Sequence, residues 1–333
     1  MEEINSVDFL VCARCYTFNQ AAYIADTLDG FCMQETSFPY VCVVVDDAST
    51  DGEQDVIRKY LHEHFDLDGM SMVQNEETDD YFLTFARHKT NVNCHFEVVF
   101  LKYNHYSIKK SKIPYISKWL DRTKYSALCE GDDYWTSPHK LQKQVSFLEE
   151  HPNYSLATHR YSVWDQKEKK FESDGNELYF KDGNGVTFDN YSKGWFSKTL
   201  TMLFRNDALE EYWRFPGMLW DITMVYFLLK YSKGYCFSEV MGVYRRNESS
   251  IFGKKIYKDQ KRFTYIQHKE IYTYEKNALT RQRYYNAKIR YLYFSKGKAF
   301  RNMDFSLADV LFIPYYMIIG FVKIAMHKSD YYG

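Results

Sequence analysis

Apolar residues in the first half of the chain fall in short unbroken runs. Residues 8–15 form one, 40–45 (YVCVVV) a second, 96–101 (FEVVFL) a third and 125–129 a fourth. Such runs are what strands need when a sheet is covered on both faces. Helical spacing separates them: residues 21–33, 51–60 and 113–121, the last with Pro114 near its start. After Pro138, Leu141, Val145 and Leu148 recur at helical intervals until Pro152 stops the pattern. Strand and helix in alternation predict a parallel α/β layer. Residues 65–90 show no clear period, and 167–190, rich in Gly and Asp, read as a hairpin or loop insertion. A strand over 199–205 and a helix over 221–231 follow, then one or two basic, Tyr-rich helices over 254–301. No internal repeat is present.

Three of the runs end in polar or acidic residues: Asp46-Asp47, Lys102-Tyr103-Asn104 and Glu130-Gly131-Asp132-Asp133. Ligands of open α/β sheets sit at the carboxyl ends of the strands, so these three ends define one candidate site. Glu130, Asp132 and Asp133 repel one another unless a cation or several donors compensate. Carboxylates of this kind hold divalent cations that neutralise phosphate groups. A solvated turn capping the next helix is the alternative for the same residues.

The segments Tyr16-Thr17-Phe18-Asn19-Gln20, Val45-Asp46-Asp47-Ala48-Ser49-Thr50-Asp51-Gly52 and Glu130-Gly131-Asp132-Asp133-Tyr134-Trp135, with Pro138, Lys140 and Leu141, resemble the family 2 glycosyltransferases in order and spacing. The resemblance covers residues 8–253. It implies an α/β fold of GT-A type, a Rossmann-like mixed sheet flanked by helices, with a C-terminal helical extension. Two domains follow: 1–253 the glycosyltransferase unit, 254–333 the tail. The implied activity is inverting transfer of a sugar from a nucleotide-sugar, by family habit a UDP-sugar, to a glycan acceptor. Asp47 then lies against the nucleobase, with Tyr16 and Phe18 flanking it; Phe18 stands where Tyr is usual. Arg87 and Asn104 lie in segments that border the nucleotide. The metal motif, which in the family meets Mn²⁺ or Mg²⁺ and the donor ribose, maps to Glu130 and Asp132, with the adjacent Asp133 as the closer metal ligand and Glu130, standing where Asp is usual, the weakest match of the three.

Inverting transfer needs a general base at the acceptor hydroxyl. The resemblance implies Asp221, which opens the 221–231 helix and whose alternative role is helix capping. Val243-Tyr244-Arg245-Arg246-Asn247-Glu248-Ser249-Ser250 is similar to a segment in which His is common at the position of Asn247. An amide is a poorer metal ligand than an imidazole, which weakens this loop as the source of a third ligand; Arg245 and Arg246 retain guanidiniums suited to a diphosphate. Two alternatives remain. A sugar nucleotidyltransferase would want a Gly-rich phosphate loop, and residues 16–20 contain no Gly. A noncatalytic carbohydrate-binding or assembly subunit would not need the retained acids.

Composition adds a location. The chain has 31 Tyr and 25 Phe, which suits sugar or membrane contact as well as a coding bias. Seven cysteines without repeated spacing, and an opening without a signal-peptide pattern, indicate a reducing cytosol. Cys12 and Cys15 lack a second pair and read as strand residues. From Lys254 onward, 16 Lys and Arg face 6 Asp and Glu, leaving the rest of the chain acidic. A basic tail seeks an anionic partner; membrane phospholipid is expected and nucleic acid is not. The uncharged run 310–322 (VLFIPYYMIIGFV) is too short to span a bilayer and predicts an interfacial or re-entrant hairpin, or a helix packed on the body. A lipid-linked acceptor at the inner face of the cytoplasmic membrane, and a role in surface polysaccharide synthesis, fit such a tail.

Overall fold

The computed structural model of the chain describes residues 7–68, 73–172, 184–191, 198–247, 257–296, 303 and 305–326. The strands are β1 (Val11–Thr17), β2 (Tyr40–Asp46), β3 (Phe65–Asp66), β4 (Gln74–Glu77), β5 (Tyr81–His88), β6 (Cys94–Leu101), β7 (Tyr125–Leu128), β8 (Tyr134–Trp135), β9 (Tyr154–Asp165), β10 (Lys170–Glu172), β11 (Val186–Phe188), β12 (Leu203–Arg205) and β13 (Lys233–Arg246). The helices are α1 (Ile24–Cys32), α2 (Glu53–His64), α3 (Pro114–Arg122), α4 (Lys140–Glu150), α5 (Glu210–Trp213), α6 (Asp221–Leu228), α7 (Tyr257–Tyr274), α8 (Ala278–Phe294) and α9 (Leu307–Met326). One mixed sheet runs β11-β13-β9-β12-β7-β1-β2-β6-β5-β3, with β10 added to β9, β4 to β5 and β8 to β13.

Its centre, β7-β1-β2-β6, is parallel, as the alternating pattern predicts. Every residue of β2 is buried. Tyr40, Cys42 and Val44 pack with Ile57 of α2 and Leu141 of α4, whereas Val41, Val43 and Val45 pack with Ile116 and Trp119 of α3. Two covered faces explain why the run is apolar throughout. Cys12 and Cys15 fall on opposite faces of β1, in different core clusters, and all seven cysteines are free thiols. Burial pushes the Cys12 thiol up to about 12, so the pair serves packing.

β9 and β13 carry no apolar signature, and the pattern of the sequence does not predict them. Their polar side chains are buried with specific partners: Ser155 donates to the Leu228 carbonyl at 2.5 Å and Thr158 to that of Tyr235 at 3.3 Å. β5, inside the unpatterned 65–90 segment, lies antiparallel on β6. Part of the expected 167–190 insertion forms the β9–β10 hairpin; residues 173–183 lie outside the described residues, as does the expected domain boundary at 253/254.

The tail packs onto the body. Ile271 of α7 is fully buried in the core that holds α6. Glu270 accepts from the Met218 amide at 2.8 Å, and Lys230 bridges Glu211 and Glu275 at 2.7 Å each. Over 307–326 the chain is one helix containing Pro314, and not a hairpin. The reason is a helical stripe of Phe312, Ile313, Tyr316 and Ile319 that packs against α8, and a buried Lys288–Asp309 ion pair at 2.6 Å that fixes the start of α9.

Candidate active site

Loops after the parallel strands converge at their carboxyl ends. Glu53, fully buried at the start of α2, joins the first two: its carboxylate accepts from the Thr17 hydroxyl, from the Gln20 amide at 2.8 Å and from the Ser49 hydroxyl at 2.8 Å. Asn19, at φ 54°, accepts from the Thr50 amide at 2.7 Å. The third loop closes onto this pair at Gly131, where a Cβ would lie 2.3 Å from Thr17 Oγ1 and 2.4 Å from Gln20 Oε1. Thr27 holds it there by donating to the carbonyls of Gly131 at 3.1 Å and Asp133 at 2.6 Å. Gly131→Ala is therefore expected to destabilise the protein by about 1–3 kcal/mol through overpacking, read as a lower thermal midpoint; an unchanged midpoint would refute the close approach.

Asp47 is 2% exposed. Its carboxylate accepts from the amides of His105 at 2.7 Å and Tyr106 at 3.1 Å, and pairs with Lys112 at 2.7 Å. Asn104 donates to the Asp47 carbonyl at 3.1 Å. Asp47 thus fixes the 104–106 turn, and direct contact with a base requires Lys112 to release Oδ2. The Lys112 ammonium stands 5.7 Å from the Tyr16 ring and 5.9 Å from that of Tyr106. Phe18 is exposed nearby, 43% accessible. Asp46, fully buried, keeps one oxygen without a partner.

The three acids of the loop have different partners. Asp133, 3% exposed, accepts from the Arg245 amide at 2.7 Å and so ties the loop to β13. Glu130 accepts from the Thr199 hydroxyl at 2.5 Å, and Asp132 from the Asn247 side-chain amide at 2.9 Å. Among the described residues no group of three or more His, Cys, Asp or Glu side chains is arranged to hold a metal. Glu130, Asp132 and Asp133, expected as a joint ligand set, turn to three different partners here. The donor chemistry nevertheless suits a hard divalent cation. Burial raises the Asp132 carboxyl, and burial with the charges of Asp132 and Asp221 pushes Glu130 up to about 7. In Asp132 and Glu130 the side-chain donors Asn247 and Thr199 each engage one carboxylate oxygen, Oδ2 and Oε2.

Asp221 is the first residue of α6 and is exposed. The capping function belongs to Trp220, whose amide donates to Thr223 at 2.8 Å, leaving the Asp221 carboxylate only the Ile222 amide at 2.8 Å. Its surroundings raise its carboxyl, by desolvation first; the exposed position moderates that push.

Residues 16–79 match the family described as glycosyl transferase family 2. The structure resembles Staphylococcus aureus TarS residues 1–349 in complex with UDP-GlcNAc, with a TM-score of 0.55 and 16% identity over 92% of this chain and 79% of that one. It also resembles the mannosyltransferase PcManGT from Pyrobaculum calidifontis in complex with GDP-Man and Mn²⁺, with a TM-score of 0.50 and 14% identity over 94% and 86%. The chain has the GT-A fold of the family 2 glycosyltransferases. By sequence it is 29% identical over 250 residues to an uncharacterised protein of Mycobacterium tuberculosis and to its Mycobacterium bovis counterpart, covering 74% of this chain. The chain spans 61% of the length of those curated relatives.

Within this GT-A fold, Tyr16, Asp47, Asn104, Glu130, Asp132, Asp221 and Arg245 all gather at the strand ends. Arg87 does not. It pairs with His95 at the start of β6, six residues and about 20 Å from the carboxyl end of that strand. Arg245 is 7% exposed, paired with Asp26 at 2.6 Å and packed between Tyr23 and Tyr134, with Nε and Nη1 unpartnered. Arg246 turns away to Glu172 at 2.7 Å. Glu248, Ser249 and Ser250 of the same segment lie outside the described residues. Glu53, Lys112, Thr199 and Lys198 belong to the site but were not foreseen. Only Glu53, directly behind Asp51-Gly52, had a motif to mark it.

Proposed function

We propose that the protein is an inverting, divalent-cation-dependent glycosyltransferase that moves a sugar from a UDP-sugar to a lipid-linked glycan acceptor during surface polysaccharide synthesis. The observation that carries this reading is the meeting of Asp132, Glu130 and Asp221 in one cleft with the 16–20 and 46–52 loops; Glu130 feels the charges of both Asp132 and Asp221. A bound Mn²⁺ or Mg²⁺ would neutralise diphosphate charge, held by Asp132 with Glu130 beside it. Asp221 takes the proton of the acceptor hydroxyl as that oxygen bonds to the anomeric carbon. The bond from this carbon to the diphosphate oxygen breaks, its electron pair leaves with the nucleoside diphosphate, and the configuration inverts. Tyr16, Phe18 and the Asp47–Lys112 pair seat the nucleoside. Arg245, with two unpartnered nitrogens, is suited to the diphosphate.

The test is incubation of the full chain with UDP-sugars, Mn²⁺ and liposomes carrying an isoprenoid-diphosphate-linked glycan. Acceptor-dependent UDP release with an inverted product linkage is expected; a retained configuration would contradict the mechanism.

The tail supports docking at the inner face of the cytoplasmic membrane. Leu307, Val310, Leu311 and Ile318 of α9 are 90%, 71%, 72% and 62% exposed, on the side away from α8, and the tail is basic. No helix among the described residues is long and apolar enough to cross a membrane, so α9 would lie along the surface. Val310→Asp with Leu311→Asp should abolish most co-sedimentation with phosphatidylglycerol vesicles while leaving the thermal midpoint unchanged. Full sedimentation of the double variant would remove α9 from the account.

A further inference from the structure

One cation of the cleft has no assigned task. Lys198 directly precedes Thr199, the residue that holds Glu130, and its carbonyl accepts from the Thr201 hydroxyl at 2.8 Å, so its backbone is fixed to the rim of the acidic loop. Its ammonium stands 4.8 Å from the centre of the Tyr244 ring. Tyr244 precedes Arg245, whose amide holds Asp133. The carboxylates whose charges reach the Lys198 ammonium are Asp221 and then Asp133, and the turn that carries Lys198 also carries Thr199, the partner of Glu130. Among the described residues the ammonium makes no ion pair within 4 Å and no hydrogen bond, whereas Arg245 shares its charge with Asp26 through one nitrogen.

We propose that Lys198 binds the diphosphate of the donor, donating to the oxygen that leaves the anomeric carbon. This rests on the glycosyltransferase reading above. In that reaction the group gaining negative charge between base and metal motif is the leaving diphosphate, and a donor fixed there before the reaction stabilises the charge as it develops. The cleft already holds Glu130, Asp132, Asp133 and Asp221. A diphosphate adds further negative charge, so a bound divalent cation alone leaves an excess that an ammonium offsets. The Tyr244 ring face supports the charged head while no ligand is present.

The test compares Lys198→Met and Lys198→Arg with the wild-type chain by calorimetry, using UDP and UMP, with GDP and GMP in parallel, at saturating Mn²⁺. Lys198→Met should weaken diphosphate binding about 10- to 100-fold, the range of a charge-assisted hydrogen bond, and leave monophosphate binding within about twofold. Lys198→Arg should restore most of the difference. Equal weakening of di- and monophosphates, or no weakening, would overturn the proposal. Lys198→Gln serves if the Met variant does not fold, with the same outcomes. Wild-type chain that binds none of the four nucleotides would instead sink the donor reading itself, and this proposal with it.

Discussion

Replacing Asp221 by Asn should lower sugar transfer by about 10²- to 10⁴-fold, the usual contribution of a positioned general base, while donor affinity stays near that of the wild type. The amide keeps the shape and can still accept from the Ile222 amide, but it cannot take a proton. The pH profile separates a base from a structural role. Desolvation raises the Asp221 carboxyl above the ordinary aspartate range, so the fraction ionised, and with it the rate, should climb as pH rises through that raised value. The acid limb should disappear in the Asn variant. A full-rate Asp221→Asn enzyme with an intact acid limb would assign the base elsewhere.

The second large effect belongs to Asp132. Its Oδ2 accepts from Asn247, which orients the carboxylate, and it is the acid of the motif not already committed to a backbone amide or a hydroxyl. Changing it to Asn should reduce Mn²⁺-dependent donor binding by at least about 10- to 100-fold, the loss commonly seen when even an outer partner of a metal ligand is removed. Asp133→Asn should behave differently. Because Asp133 binds the Arg245 amide from a buried position, its loss should lower the thermal midpoint more than it changes the cation requirement. Equal cation dependence in Asp132→Asn and the wild type would contradict the assignment.

These contrasts also show what the sequence could reveal. β1, β2, β6 and β7 were legible because strands buried on both faces must be apolar throughout. β9 and β13 were not, since Ser155 and Thr158 are buried through carbonyls of Leu228 and Tyr235 that reach them only in the folded chain. The motif loops after β1, β2 and β7 were readable from residue type and spacing, whereas side-chain direction was not. Asp47 turns inward to Lys112, and Asp133 turns to β13, because amides and an ammonium from distant segments claim them. Arg87 was misplaced for a related reason: β5 runs antiparallel to β6, which sends Arg87 towards the amino end of β6, and nothing in residues 65–90 discloses that direction. Lys198 lies far from every motif in sequence and reaches the cleft only through the turn at Thr199–Thr201.

The central claim is cation-dependent recognition of a nucleotide-sugar at the carboxyl ends of the parallel strands. Calorimetric titration of the full chain with UDP-sugars, in Mn²⁺ and again in EDTA, tests it most directly. Saturable one-to-one binding that weakens sharply in EDTA, and that Asp132→Asn weakens in the same way, is the predicted result. Absence of binding by any nucleotide-sugar in either condition would contradict it.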